Sequence, residues 1–219
     1  MSDSDSFIEE VNDELRRDRL FGAIRRYGWI VVLVVLAIVA GATWNEYSKA
    51  RAAASAQAFG DAILAALEND SAGDRIAALQ QIETDDAGQV ALIGFIASSE
   101  AAAEGDDSAG AADLLANVGG EGLNPIYQQL ATFKRLMLET DSMEPADRRE
   151  GFRQLAAPGA PLRLLAEEQI ALTYVEEGDN EKALETLQSI QADAEATQGL
   201  QQRTSQLIVA LGGTPAEAG

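Results

Sequence analysis

The strongest constraint on this chain is an uninterrupted apolar run, residues 29–44, which reads Trp-Ile-Val-Val-Leu-Val-Val-Leu-Ala-Ile-Val-Ala-Gly-Ala-Thr-Trp. It holds no charge, and aromatic pairs flank it, Tyr27 and Trp29 on one side and Trp44 and Tyr47 on the other. A helix rises about 1.5 Å per residue, so Tyr27 to Tyr47 covers about 30 Å, the thickness of a bilayer core, with rings at both interfaces. The nine Leu, Ile and Val residues of the run contribute about −3 to −5 kcal/mol to insertion at mid-membrane. The sequence therefore predicts one transmembrane helix over residues 28–47. Two other readings compete with it. One is a buried helix of a soluble core, because the run is short for a span. The other is a cleaved signal peptide, because Ala40-Gly41-Ala42 has the small-x-small form of a processing site; the leader of 28 residues, with several acids, is long and mixed for that.

Orientation follows from Lys and Arg, which favour the cytoplasmic side. Arg16, Arg17, Arg19, Arg25 and Arg26 precede the run, whereas only Lys49 and Arg51 follow it closely. This places residues 1–27 as a cytoplasmic arm and the remainder outside the inner membrane, in the periplasm of a Gram-negative bacterium. From residue 52 onward the chain has 28 acids and 9 basic residues, so the soluble part carries 9 − 28 = −19. Such a surface keeps a domain soluble and repels nucleic acid and anionic lipid.

The chain has neither His nor Cys. Nucleophile systems built on Ser-His-Asp or Cys-His, and almost all zinc sites, need at least one of them. No cofactor or metal is expected. A carboxylate pair could serve a glycosidase. Yet the acidic runs (residues 104–107, Asp85-Asp86, Glu167-Glu168 and Glu176-Glu177) fall at helix ends or on polar faces, where a solvated surface is the ordinary explanation. Gly119-Gly120-Glu121-Gly122 follows no strand and reads as a linker, not a phosphate loop. The expected protein is not an enzyme.

Beyond the span the pattern is helical, rich in Ala, Leu, Gln and Glu, with turn clusters at regular intervals and no sustained strand alternation. The best-defined helix pair covers residues 162–190. There Ala171, Tyr174, Gly178, Ala183 and Leu187 fall at the small, aromatic, glycine, alanine and large apolar positions of a tetratricopeptide repeat, which this segment resembles. Ala171 and Ala183 permit close helix approach, Tyr174 fills the space beside them, and Gly178 ends the first helix in a left-handed conformation. Ile190 and Glu167 depart from the pattern. A weaker echo of the same turn lies at Glu104-Gly105-Asp106-Asp107, followed by Leu114 and Leu115.

Three repeat-like hairpins are expected, at residues 89–118, 124–157 and 161–192, with the register of the middle one open. Residues 45–67 continue the membrane helix as a stalk, residues 75–82 fold back as its partner, and a last helix at about 200–211 caps the array. The expected division is residues 1–27 arm, 28–47 transmembrane helix, 48–84 stalk and first hairpin, 85–212 repeat domain and 213–219 disordered tail. The fold class is all-α: one N-terminal transmembrane helix followed by an α-solenoid of tetratricopeptide-like hairpins.

Taken in order, the arm at residues 7–20, the Arg25-Arg-Tyr-Gly-Trp29 entry, the Trp44-Asn-Glu-Tyr47 exit and the repeat domain resemble the YfgM-like family of ancillary Sec-translocon subunits in its alphaproteobacterial form. The resemblance implies association with the Sec translocon and with periplasmic chaperones or a membrane-anchored prolyl isomerase, and no catalysis. Nascent envelope proteins are candidate clients. By the repeat register, Leu165, Glu168, Leu172, Val175 and Glu176 line an inner, partner-binding groove; the alternative is that the aliphatic members pack on a neighbouring hairpin. Ala37 and Gly41 form a small-xxx-small pair that seats a translocon helix or a second copy, making a homo-oligomer. In the arm, Phe7, Ile8, Val11 and Leu15 share one helical face, suited to the membrane surface, a protein partner or plain solvent. Composition fits equally a structural scaffold that tethers another membrane or cell-wall complex.

Overall fold

A computed structural model describes residues 3–103 and 107–215, with side chains of the first helix described at Arg25 and from Gly28 onward, Val31 excepted. Among the described residues every regular element is helical. The chain divides into two compact units, Met1–Asp61 and Ala62–Gly219.

The first unit is helix α1, Asp3–Leu67, apart from its last turns. The part of α1 from Gly28 to Leu67 is long and apolar enough to cross a membrane, and the most apolar stretch is not buried at all. Trp29, Leu33, Leu36, Ile38 and Trp44 all stand exposed. A water-soluble chain rarely exposes a contiguous band of this kind. The expected stalk, residues 45–67, belongs to the same helix. The side chains of Phe7, Ile8, Val11, Leu15 and Tyr27 lie outside the described residues.

The second unit begins with the end of α1, where Ile63 and Ala66 are buried, and so starts well before residue 85. It continues through α2 (Ala72–Gln80), α3 (Ala87–Ala103), α4 (Ser108–Ala116), α5 (Pro125–Leu138), a 3-10 turn at Glu139–Asp141, α6 (Pro145–Leu155), α7 (Arg163–Glu176), α8 (Asn180–Ala192) and α9 (Gln198–Ala210). From α2 onward each helix packs on the next. The main partner of α2 is α3, not the stalk. Arg75 contributes to this pairing: its Nε donates to Glu100 of α3 at 2.6 Å while Nη1 donates to the carbonyls of Asn69 and Asp70 in the turn after α1.

Most helices start where a short polar side chain accepts a free N–H of the first turn. Ser71, Asp107, Asn124, Asp179 and Thr197 do so for α2, α4, α5, α8 and α9, with Pro125 as the first residue of α5. Residues 104–106, including Gly105 of the weaker repeat echo, lie outside the described part.

Close approach is bought with small residues. A Cβ on Gly94 of α3 would come within 2.7 Å of Val118, and one on Gly151 of α6 within 2.8 Å of both δ carbons of Leu136 on α5. Ala171 and Ala183 at the α7–α8 crossing are fully buried. Larger side chains fill the rest. Phe133 and Phe152 meet edge-to-face at 5.6 Å within a cluster that includes Leu136, Leu155, Ala166 and Ile170. Ala171, Leu187 and Ile208 form another, joining α7, α8 and α9.

Helices α7 and α9 end in the same way. Gly178 and Gly212 have φ of +78° and +80°, a region where glycine carries no Cβ penalty. In each, the glycine N–H donates three residues back, to Val175 and Val209, and the next N–H donates to Tyr174 and Ile208. This paired pattern satisfies carbonyls that the helix leaves open and reverses the chain. Gly213 is thereby fixed, with Leu184 and Ile208 less than 3 Å from where its Cβ would stand; residues 216–219 of the expected tail lie outside the described part. The two glycines are 212 − 178 = 34 residues apart.

Candidate functional site

Alternate helices of the second unit, α5, α7 and α9, together line a groove of about 670 Å³. Each contributes one helical face. From α5 come Phe133 and Met137; from α7, Leu165, Glu168, Gln169 and Leu172; from α9, Arg203, Gln206, Leu207 and Ala210. The i, i+3, i+4, i+7 spacing on α7 and α9 is what puts these side chains on a single stripe. Met137 and Leu165 remain 47% and 37% exposed, so the groove shows apolar surface to solvent.

Three of the expected groove residues, Leu165, Glu168 and Leu172, are therefore together in it. Val175 and Glu176 are not part of the lining. Glu176 turns toward α6, where both its carboxylate oxygens accept from Arg148 Nη2, at 2.7 and 2.6 Å. The reason is electrostatic. Arg148 is 3% exposed, and a buried guanidinium needs a counter-ion.

Arg149 repeats the arrangement one residue on. It grips Glu177 through Nη1 and Nη2 at 2.8 and 3.0 Å, donates to Thr173 Oγ1, and lies 4.4 Å from the centroid of the Tyr174 ring. Two adjacent carboxylates at a helix C-terminus oppose the helix dipole. The tandem arginines of α6 reverse that penalty and tie α6 to the end of α7. The Arg149 hydrogen bond holds the Glu177 carboxyl below its ordinary value. The Glu176-Glu177 pair, at the helix end and still partly exposed, thus also ties α7 to α6. Tyr174 packs half-buried against the Phe133–Phe152 cluster.

Glu168 carries the only carboxylate of the lining and is 6% exposed. Arg203, 35 residues later on α9, closes on it with Nε and Nη2 at 2.9 and 2.7 Å. That bond raises the Arg203 guanidinium above its ordinary value. The amides of Gln169 and Gln206 line the groove with no hydrogen-bond partner among the described residues.

The sequence reading missed the α9 wall because it took the last helix as a cap. A signal was present: adding 34 to Gln169 and Leu172 lands on Arg203 and Gln206, and adding it to Gly178 lands on Gly212. Ala37 and Gly41 stand exposed on α1, with nothing within 4 Å of a Cβ placed on Gly41. Among the described residues no group of carboxylates is arranged to hold a metal ion.

Comparison with protein-family models, with curated proteins and with solved structures finds no match for this chain.

Proposed function

We propose that this chain is a membrane-anchored protein-interaction module, held in a bacterial inner membrane by residues 28–47 with its helical domain in the periplasm, and that it serves as an ancillary subunit of the Sec translocon. In this role the span docks beside the channel, and the groove between α5, α7 and α9 meets emerging chains or a periplasmic chaperone.

The observation that carries the proposal is the groove: an open, apolar-walled surface on a domain of charge −19. Charge of that size keeps a domain apart from nucleic acid and anionic lipid, and exposed apolar surface in a concavity suits a polypeptide partner. A tetratricopeptide architecture fits the same facts. Ala171, Ala183 and Leu187 are fully buried, Gly178 is left-handed, and α9 repeats the first helix of the unit with Ser205, Ile208 and Gly212 at the small, large and glycine positions. Alternate helices of such a stack share the inner face.

In-membrane photo-crosslinking in the host tests the proposal, with probes at Leu33, Ala37 and Gly41 in the span and at Leu172 in the groove. Span adducts to the Sec channel, with groove adducts to chaperones or nascent envelope proteins, are the expected result. Adducts confined to another complex, or to a second copy, would replace the translocon role with that of a structural scaffold.

A further inference from the structure

We infer that a second docking surface lies between α2, α3 and α4, and that its occupant is a basic polypeptide segment that inserts an apolar side chain between flanking lysines or arginines. Three helices consecutive in the chain form a cavity of about 260 Å³ there, and it shares no residue with the α5–α7–α9 groove. Leu79 of α2, Ile82 and Thr84 of the loop that follows, Val90 and Ile93 of α3 and Leu114 of α4 line it, and no lining residue is charged. The Thr84 hydroxyl is already engaged, donating to Gln89 Oε1 at 2.6 Å and accepting the Asp86 N–H at 3.1 Å. Val90 is 40% exposed, which leaves part of the apolar wall open to solvent. Sites for free small molecules run to about 300–1,000 Å³ and enclose most of the ligand. A smaller, open cavity suits one or two side chains of a longer chain.

The charges beside the cavity decide what kind of chain that is. Residues 68–121 hold twelve acids and one basic residue, Arg75, whose Nε is bonded to Glu100; residues 122–219 hold fifteen acids and eight basic residues. The imbalance is therefore concentrated in the part of the domain that builds the cavity. Glu83 stands between Ile82 and Thr84, Asp85 and Asp86 follow them, and Asp113 precedes Leu114 on α4. All four are exposed, and none has a cationic partner among the described residues. Neighbours in a chain are about 3.8 Å apart, and salt screens over about 8 Å at physiological ionic strength, so these carboxylates act on whatever covers the cavity. A segment whose apolar side chain fills the cavity lays its neighbouring residues over them. Lysine or arginine at those places is attracted, and aspartate or glutamate is repelled.

The test uses the full chain in phosphatidylcholine nanodiscs, with empty discs as the blank, and fluorescence anisotropy of a fluorescein-labelled peptide that has two leucines at its centre and lysines on both sides. In one comparison peptide serine replaces leucine, and in another glutamate replaces lysine. Saturable binding of the leucine–lysine peptide is expected, with binding about tenfold weaker for the serine form and none for the glutamate form. Val90→Asn, at an exposed position, weakens the first peptide about fivefold. Glu83→Gln with Asp85→Asn weakens it about fivefold at about 0.05 M salt, a difference that vanishes at about 0.5 M. Leu172→Glu, in the other groove, leaves the affinity unchanged.

Equal binding of the serine form reduces the surface to diffuse charge and overturns the inference. Equal binding of the glutamate form overturns it too, as does the absence of saturable binding by the leucine–lysine peptide. Unchanged affinity in both Val90→Asn and the doubly neutralised variant also refutes it. If Leu172→Glu abolishes binding while Val90→Asn does not change it, the peptide sits in the α5–α7–α9 groove: that groove stands as the capture surface, and the second surface is refuted.

Discussion

The Arg148–Glu176 pair makes an asymmetric prediction. The guanidinium is 3% exposed and the carboxylate side chain 36%, so the two partners stand in different dielectric surroundings although they share the same bonds. Glu176→Ala leaves a buried cation with a single protein acceptor, the Thr140 carbonyl at 2.9 Å. Leaving a buried charge uncompensated costs about 3–5 kcal/mol when the pair is fully enclosed; the partial exposure of Glu176 lets water reach the site and brings the expected cost to about 2 kcal/mol. Arg148→Met removes the buried charge itself and fills most of the volume with an adaptable apolar chain. What remains is a carboxylate with access to water at the C-terminus of α7, beside Glu177, an arrangement worth about 0.5–1 kcal/mol through the helix dipole. The double variant should cost about as little as Arg148→Met alone, because no buried charge survives in either. Thermal unfolding of the full chain in detergent, followed by far-ultraviolet circular dichroism, reads the difference. A domain of this size loses about 2–4 °C per kcal/mol, so Glu176→Ala should fall by about 4–8 °C and the other two variants by less than half as much. Equal losses from the two single variants would mean that the cost lies in the hydrogen bonds lost rather than in the charge left behind, and the burial argument would fail.

Acid should loosen the α6–α7–α8 region first. The carboxyls of Glu177, Asp179 and Asp193 are held below their ordinary values, Glu177 by the Arg149 guanidinium, Asp179 by Lys182, and Asp193 by the Glu195 backbone N–H and then Arg163. A depressed folded-state value means that these groups stabilise the fold fully above their ordinary values of 4.5 and 3.8 and lose that contribution as pH falls through them. The melting temperature should hold down to about pH 5 and drop below that, with a shallower drop in Glu177→Gln; an equal slope in that variant refutes the assignment. Glycine variants separate packing from backbone. Gly151→Ala gains about 1 kcal/mol of helix propensity but forces a Cβ to within 2.8 Å of Leu136, which is 2% exposed, and should destabilise by about 1 kcal/mol net. Gly199→Ala, with nothing within 4 Å, should leave stability unchanged or raise it slightly in the same melts. Gly178→Ala, at a φ of +78°, should cost about 1–2 kcal/mol by the same measurement.

The parts of this fold legible in the sequence are those set by local physics. Helix spacing and turn clusters located the hairpins that hold α3 to α8 to within a few residues, because residues such as Asn124-Pro125 and Asp179 act on the backbone beside them. Ala171, Ala183 and Gly178 could be read because their roles need only smallness or a left-handed φ. Long-range pairing could not be read. Nothing local says that Glu176 is claimed by Arg148, 28 residues earlier, rather than facing the groove with Leu172. The same holds for Arg203 and Glu168, and for the choice of α3 over the stalk as the partner of α2. In a chain with 36 acids and 16 basic residues, each arginine has many possible partners, and tertiary geometry alone chooses among them.

The groove depends on how the chain turns out of α7. A left-handed glycine followed by a residue bonded back to the last turn sends the chain into the next helix at a fixed angle. Positions 34 residues apart on α7 and α9 line the same groove, with α8 packed on both helices. Gln169 and Leu172 thereby face the groove together with Arg203 and Gln206, while the intervening α8 supplies Leu187 to the core behind them. Ala210 occupies on α9 the position that Glu176 holds on α7, and it does line the groove. The position therefore faces inward by geometry, and on α7 alone it is vacated, because α6 presents Arg148 within reach. On α9 the corresponding residue is an alanine, which has no carboxylate for a neighbouring helix to draw away, so the α9 wall stays apolar where the α7 wall ends.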